Sequence, residues 1–274
     1  MSSQLDAIER LFRDDDPATV ALVKEQLLLR GEAAVDDLRD LVNADSAIVA
    51  AHAQEVLHTI AGKKSACTLE ALCKLDSEIP LEQACWLIAA SLLPWLDIEE
   101  FKETLNEWSF EVKKRLQNAP NEPLKVLTEY LNGGLGFDGN VDDYYIHENS
   151  LLPCMMESRK GLPLTLTLLY MFVGQRAGIP VHGVNLPGHF IARCGETYFD
   201  PFHSGRVLSI ADCADILARQ QIELSDEHLE NPSSRQILAR LLANLSHAYD
   251  IEDSKWQKQM VGRWLALVIG SGVE

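Results

Sequence analysis

Along the first half of the chain, apolar side chains recur every three or four positions, as on one face of an α-helix. The clearest stripe runs from Val20 to Leu28. It is preceded by Asp16 and Pro17, a helix cap and a first-turn proline, and followed by Gly31, a helix stop. Further helices are predicted over residues 34–42, 46–60, 81–93, 98–116 and 123–131.

These paired short helices indicate an all-helical first domain over residues 1–118. Their lengths favour a helical-repeat architecture, and an irregular helical bundle is the alternative. Gly62 is interpreted as the end of the helix over residues 46–60, and Pro94 as a break between two later helices.

The pattern changes after Gly161. An apolar stretch up to Ala177 predicts a buried helix, which is shorter than the roughly 20 residues that a membrane span needs. Alternating segments then predict three strands: VHGVNL, HFIARC and TYFDPF. Helical spacing returns at Pro232. The predicted fold class is α+β and mostly helical, with a small antiparallel sheet in a domain over residues 119–230 and a helix pair over residues 231–274.

The predicted hairpin brings a histidine close to an aspartate. If the turn closes symmetrically around CGET, Cys194 pairs with Thr197, and Ile191 then lies opposite Asp200. Because side chains alternate between the two faces, His189 shares a face with Ile191 and is a diagonal neighbour of Asp200, about 7–8 Å away. A carboxylate there can orient an imidazole, as in Cys-His-Asp and Ser-His-Asp groups. The alternative is an ordinary strand histidine and a turn aspartate.

Composition narrows the classes of partner and ligand. The chain has 274 residues, 47% of them hydrophobic, and a formal net charge of −17, so it has no overall attraction to nucleic acid or to an anionic membrane. Its six cysteines form no CxxC pair and lack histidines at zinc-finger spacing, so no metal and no other cofactor is predicted. The amino-terminal sequence does not resemble a signal peptide, which predicts a cytoplasmic location.

Three segments together resemble the transglutaminase-like superfamily, specifically its bacterial SirB-type branch. They are GFDGNVDDYYIHENSLL, RKGLPLTLTLLYMFVGQRAGIPVHGVNLPGHFIAR and YFDPFHSGRVLS. The resemblance is strongest over residues 120–210, and RQILARLLANLSHAYD resembles a reduced tetratricopeptide-type helix pair. It implies a papain-like fold, with a nucleophilic cysteine at the amino end of a helix and a histidine and an aspartate on the following strands.

The resemblance assigns His189 and Asp200 to the catalytic histidine and aspartate, and Pro163 to the position of the nucleophile. Proline has no nucleophilic atom, so catalysis through a thioester is not expected. Two weak substitutes remain open. Thr165 lies near the first turn of the same helix, although a helical threonine more often bonds to backbone. Cys154 lies nine residues upstream, although a free cysteine is more often a small buried residue.

Two functions follow from these residues. The first is a non-catalytic, regulatory transglutaminase-like module that binds a protein or peptide partner. The second is an amidase or acyl-transferase that uses His189 and Asp200 with a relocated nucleophile or with water. The missing cysteine favours the first function, and the retained pair supports the second. The oligomeric state stays open.

Overall fold

The structure, a computed structural model, describes residues 3–75 and 78–270. By compactness, the chain divides into one unit of Met1–Thr68 with Ala90–Leu96 and another of Leu69–Ala89 with Asp97–Glu274. The predicted boundary near residue 118 therefore falls inside the second unit. The three-part division of the chain stays a prediction, and its outermost residues, 1–2 and 271–274, lie outside the described ranges.

The first unit is built from short helices around an apolar core. Its helices are α1 (Ser3–Phe12), α2 (Pro17–Arg30), α3 (Val35–Val42) and most of α4 (Ala47–Cys73). Helix α2 begins as predicted, because the Asp16 carboxylate accepts a hydrogen bond from the backbone N–H of Ala18 at 3.0 Å. It ends at Gly31, whose φ of 57° suits glycine. Buried side chains from Phe12, Leu38 and other residues form the core.

The prediction that Gly62 ends a helix is wrong, since α4 continues through this residue to Cys73. The glycine instead permits a close approach within the first unit. A Cβ atom at this position would lie 3.2 Å from both the Pro94 Cβ and the Ser91 carbonyl oxygen. A helical glycine can thus serve packing between helices, which a sequence pattern does not distinguish from a helix stop.

The second unit surrounds a buried central helix. Its helices are α5 (Leu81–Leu92), whose last turn belongs to the first unit, α6 (Ile98–Leu116), α7 (Pro123–Thr128), α8 (Leu152–Ser158), α9 (Pro163–Ala177), α10 (Ile210–Ala218), α11 (Ser234–Ile251) and α12 (Lys255–Gly270). Helix α9 is buried along most of its length and contacts α6 and the sheet. Helices α11 and α12 pack on each other in the carboxyl-terminal part of the chain, and α10 was not predicted from the sequence.

Two small sheets lie beside α9. The first pairs β1 (Asp138–Gly139) with β2 (Lys160–Gly161) in parallel. The second is antiparallel, in the order β3 (Val181–Val184), β4 (Ile191–Cys194), β5 (Thr197–Asp200) and β6 (Arg206–Leu208). Together with the helices, these sheets confirm the mostly helical α+β class.

The hairpin of β4 and β5 has the predicted register, with Cys194 opposite Thr197. His189, however, does not lie within a strand. It belongs to the loop before β4, where Gly188 has a φ of 77° and the backbone N–H of His189 bonds to the Leu186 carbonyl oxygen at 3.0 Å. That turn interrupts the alternation of side chains on which the prediction rested.

The segment between α7 and α8 is held by its own polar side chains. Asn149 is buried and donates to the carbonyl oxygens of Asp143 at 2.6 Å and Tyr144 at 3.0 Å, and it accepts from the Asn140 side chain at 2.9 Å. Asp138 accepts from the backbone N–H and hydroxyl of Ser204, each at 3.1 Å.

None of the helices in the described part of the chain has the length and apolar character that a membrane span requires.

An ion pair joins α5 to α9 within the second unit. Arg176 donates to both carboxylate oxygens of Glu82, at 2.6 and 2.7 Å, and the indole N–H of Trp86 donates to the same group at 2.9 Å. Burial would raise the pKa of Glu82, but these bonds hold it below its ordinary value of 4.5.

We expect Glu82→Gln to lower the free energy of unfolding by about 1–3 kcal/mol at pH 7, because the bonds to a charged acceptor are weakened. Since the folded state depresses the pKa of Glu82, this stabilisation is present above pH 4.5 and is lost as the pH falls below it. Urea denaturation of both proteins at pH 7 and in acid measures the difference. As a control, Glu99→Gln breaks an exposed ion pair with Lys102 and should change the free energy of unfolding little. A difference independent of pH would contradict the assignment to this carboxylate.

Candidate functional site

A histidine and an aspartate meet at the carboxyl end of β5. The Nε2 atom of His189 lies 2.7 Å from the Oδ2 atom of Asp200, so the two predicted site residues form a direct hydrogen bond. Because an ionised carboxylate only accepts, Nε2 carries the proton. The other ring nitrogen, Nδ1, makes no hydrogen bond with the residues that the structure describes. This arrangement leaves one nitrogen of His189 available to a ligand.

A second histidine, which the sequence interpretation missed, binds the same oxygen atom. The Nδ1 atom of His203 lies 2.7 Å from Asp200 Oδ2, and its ring centroid is 5.9 Å from that of His189. His203 belongs to a short 3₁₀ turn, Pro201–His203, which Asp200 caps. The signal in the sequence is the spacing in DPFH, since a cap and a residue three positions on approach each other across one turn. The site is therefore a cluster of three groups.

Asp200 is almost completely buried, with 3% of its surface exposed. Its second oxygen, Oδ1, accepts from the backbone N–H of Phe202 at 3.0 Å, which fixes the orientation of the carboxylate. Burial would raise the pKa of Asp200, but the hydrogen bonds and positive charge of His189 and His203 hold it below its ordinary value. The group is therefore an ionised acceptor at neutral pH.

The loop that carries His189 is fixed by the carboxyl-terminal helix pair. Arg240 of α11 donates to the Asn185 side chain and, at 2.8 Å, to the Leu186 carbonyl oxygen. Its guanidinium also lies over the Phe190 ring, 5.4 Å from the ring centroid. Helix α11 thus holds both sides of the turn that presents His189, which assigns a structural role to this part of the chain.

A cleft of about 360 Å³ lies beside the cluster. Helix α10 and strand β6 form much of its lining. Its charged residues have both signs, since Arg206 forms an ion pair of 2.6 Å with Asp212 of α10, and Asp215 of the same helix and Arg219, which follows it, also line the cleft. Apolar contacts come from Leu208 and Ile216, among others. The cleft can therefore contact polar and apolar groups of a ligand together.

The position of the expected nucleophile is taken by the first residue of α9. Pro163 is buried there, and its missing N–H removes no helical hydrogen bond. Thr165 is completely buried, and its hydroxyl has no hydrogen-bond partner among the described residues. Neither residue belongs to the lining of the cleft.

Cys154 belongs to α8 and has a different electrostatic environment. Burial, followed by the negative charges of Glu148 and Glu157, raises the pKa of its thiol to about 11. An activated cysteine needs the opposite shift, towards a stable thiolate. The surroundings of Cys154 therefore oppose the role of relocated nucleophile.

We expect Cys154 to react slowly with iodoacetamide, because a pKa of about 11 makes its thiolate fraction at pH 8 about a hundredfold smaller than that of an ordinary thiol. Mass spectrometry of the alkylated peptides measures the rate of each cysteine, with the exposed Cys67 as internal reference. His189→Ala should leave the rate at Cys154 unchanged. A fast reaction that slows in this variant would show that the two residues act together.

The segments that resemble the transglutaminase-like superfamily form the buried helix that starts at Pro163 and the hairpin beside which His189 and Asp200 meet. The family model of the transglutaminase-like superfamily matches residues 99–243, which is more than half of the chain. The chain therefore belongs to this superfamily, as its sequence motifs predicted.

The bacterial relatives agree with the SirB-type branch. A UPF0162 protein of Xylella fastidiosa is 32% identical over 198 residues, which are 67% of this chain and 69% of the relative. A UPF0162 protein of Pseudomonas aeruginosa is 39% identical over 110 residues, 38% of this chain and 40% of the relative. F-box only protein 21 of Mus musculus is 30% identical over 137 residues, 46% of this chain and 21% of that protein. No solved structure gives a significant match.

Proposed function

We propose that this chain is a non-catalytic member of its superfamily that binds a short peptide segment of a partner protein in the cleft beside His189, Asp200 and His203. The observation that carries the proposal is the lining of this cleft. Among its residues, all of them in the described part of the chain, there is no serine, threonine or cysteine. The cleft lining, all of it among the described residues, combines the positioning groups that the resemblance implies with the absence of a hydroxyl or thiol nucleophile.

The chemistry of the cleft suits a peptide. A peptide backbone presents donors and acceptors at regular spacing, and the cleft offers both carboxylates and guanidinium groups beside apolar side chains. Its volume of about 360 Å³ is near the lower end of the range for small-molecule pockets, about 300–1,000 Å³. That volume accommodates a few residues of an extended chain.

The helical parts support a role in protein interactions. We assign α11 and α12 a reduced tetratricopeptide-type character and the amino-terminal helices a repeat-like one, because paired helices of this kind present extended surfaces to partner proteins. In F-box only protein 21 the matching segment is about a fifth of a longer chain, which agrees with a module joined to other sequences. The regulatory role and the cytoplasmic location stay predictions.

Selection from a random peptide library against the whole chain tests the proposal. We expect enriched peptides to bind the wild type with measurable affinity in fluorescence anisotropy. Ile216→Trp, which places a large ring in the cleft, should weaken binding at least about tenfold, since it removes the space that the peptide occupies. Ile210→Trp is the matched control, because it changes the same residue type on the same helix outside the cleft lining.

Thermal unfolding verifies that both tryptophan variants remain folded. A selection without enrichment, or equal peptide affinities for Ile216→Trp and the wild type, would overturn the proposal.

A second candidate is an amide hydrolase or acyl-transferase, and the free Nδ1 atom of His189 beside an orienting Asp200 favours it. In this function His189 would take a proton from water or from a relocated nucleophile. Hydrolysis of a fluorogenic peptide mixture separates the two candidates. We expect His189→Ala to lower the melting temperature without changing the hydrolysis rate, and the loss of a measurable rate at unchanged stability would favour the enzyme.

A further inference from the structure

We propose that His189, Asp200 and His203 form a binding site for one divalent transition-metal ion, for which Zn²⁺ fits the ligand set best. Two imidazoles and one carboxylate are a common ligand combination for catalytic zinc and for related metals. This site extends beyond peptide binding and does not depend on it. It also revises the prediction of no metal, which considered only cysteine spacing and did not include His203.

The three ligand atoms already converge. Nε2 of His189 and Nδ1 of His203 each lie 2.7 Å from Asp200 Oδ2, and the three potential ligand atoms all lie within 4.8 Å of one another. With metal–ligand bonds of about 2.0–2.2 Å at tetrahedral angles, ligand atoms are separated by roughly 3.4 Å, so each of the two histidine–aspartate pairs has to open by about 0.7 Å. The side chain of His203 is 61% exposed and is free to make this movement.

The surrounding groups orient the ligands as in known metal sites. Asp200 is fixed through its other oxygen by the Phe202 N–H at 3.0 Å, which leaves Oδ2 directed at both histidines. The backbone N–H of Gly205 bonds to the Asp200 carbonyl oxygen at 2.9 Å and fixes the turn that carries His203. Metal binding would displace the protons on the two ring nitrogens, so a Zn²⁺ ion would replace two N–H···O bonds by coordination.

The position of the cluster leaves coordination sites for a ligand. His189, Asp200 and His203 all belong to the lining of the cleft of about 360 Å³. A tetrahedral ion held by three protein groups has a fourth position for water or for an anionic or carbonyl oxygen of a bound molecule. The ion would thus provide a positive centre beside the charged residues of α10.

A second group of possible ligands is less suitable. His147 Nδ1 is bound by both oxygens of Glu252, at 2.8 and 3.0 Å, and lies 3.2 Å from a Glu148 oxygen. Its ring stacks on Tyr249 with centroids 4.9 Å apart. It offers one imidazole and two carboxylates in an ion-paired surface cluster, which is a weaker donor set for Zn²⁺ than two imidazoles. His147 therefore provides a control.

The test is a titration of the chelator-treated full chain with Co²⁺, followed by competition with Zn²⁺, in the absence of any peptide. We expect one ion per chain and visible cobalt absorption without the charge-transfer band that a cysteine ligand would produce. Since replacing even an outer partner of a ligand costs about 10–100-fold in affinity, His203→Ala should weaken binding at least about tenfold. Asp200→Asn, which preserves the shape of the side chain, should act in the same direction.

Two variants are controls for unspecific effects. His147→Ala removes the competing cluster, and His182→Ala removes an exposed histidine of β3, so both should bind like the wild type. The proposal is overturned if the wild type binds no more tightly than His203→Ala, if a thiolate band appears, or if only His147→Ala loses the ion. Because the titration contains no peptide, its result is separate from that of the peptide selection.

Discussion

Asp200→Ala should lower the free energy of unfolding by about 3–5 kcal/mol, because it removes an ionised group that is buried and fully engaged. The carboxylate is 3% exposed and accepts hydrogen bonds from His189, His203 and the backbone N–H of Phe202. In the alanine variant these donors lose their acceptor, and the end of β5 loses the cap of its 3₁₀ turn.

Thermal and urea unfolding measure this effect, and the melting temperature should fall on the order of 10 °C. Asp215→Ala is the matched control, since Asp215 lines the same cleft but is exposed, and its loss should change little. Asp200→Asn keeps the shape of the side chain and should fall between the two. If Asp200→Ala is as stable as Asp215→Ala, the cluster is a surface feature and does not hold the turn together.

The sequence predicted those elements that local chemistry determines. Helix α6 spans the predicted residues, because Asp97 accepts from the backbone N–H of Glu99 at 3.0 Å at its start. The register of β4 and β5 follows from the short turn around CGET, which pairs Cys194 with Thr197. This register brings the start of β4 next to the end of β5, so the sequence placed His189 in the neighbourhood of Asp200, although it did not predict the turn that carries His189.

Features that depend on contacts between distant residues were not accessible. Helix α4 passes Gly62 because this glycine packs against Pro94, more than thirty positions later. His189 lies outside β4, in a turn that Arg240 of α11 stabilises by donating to the Leu186 carbonyl oxygen. His203 was missed for a different reason. The motif that the resemblance implies has a cysteine, a histidine and an aspartate, and a second histidine that binds the same aspartate oxygen has no place in it.

The resemblance assigns Pro163 to the position of the nucleophile, and this position and the His189–Asp200 pair have different structural consequences. The hydrogen bond between His189 and Asp200 helps to stabilise the turn that Asp200 caps, whereas Pro163 is only the first residue of α9. Proline there satisfies the start of a helix, and it needs neither His189 nor Asp200. We therefore expect a change at position 163 to cost the fold little and the loss of Asp200 to cost it much. In the proposed non-catalytic function, this asymmetry explains how the His189–Asp200 pair persists without a nucleophile.

Pro163→Cys should restore an activated thiol if that geometry is intact. The new side chain would stand at the amino end of a 15-residue helix, whose dipole stabilises a thiolate, with the free Nδ1 atom of His189 as its expected partner. We expect its pKa to fall below the ordinary value of about 8.5 and its alkylation at pH 7 to be at least about tenfold faster than that of a free thiol. Adding His189→Ala to the variant should remove most of this gain.

The pH dependence of iodoacetamide alkylation, with a chelator present to exclude metal binding, gives both the rate and the pKa of the new thiol. Pro123→Cys is the matched control, because it replaces the first-turn proline of α7. The predicted motif places no histidine beside the start of that helix. A shared dipole effect should appear in both variants, and only the thiol at position 163 should respond to His189→Ala. If the two thiols react alike, the start of α9 and His189 are not arranged as a catalytic pair, and the cleft has diverged from an active site by more than one residue.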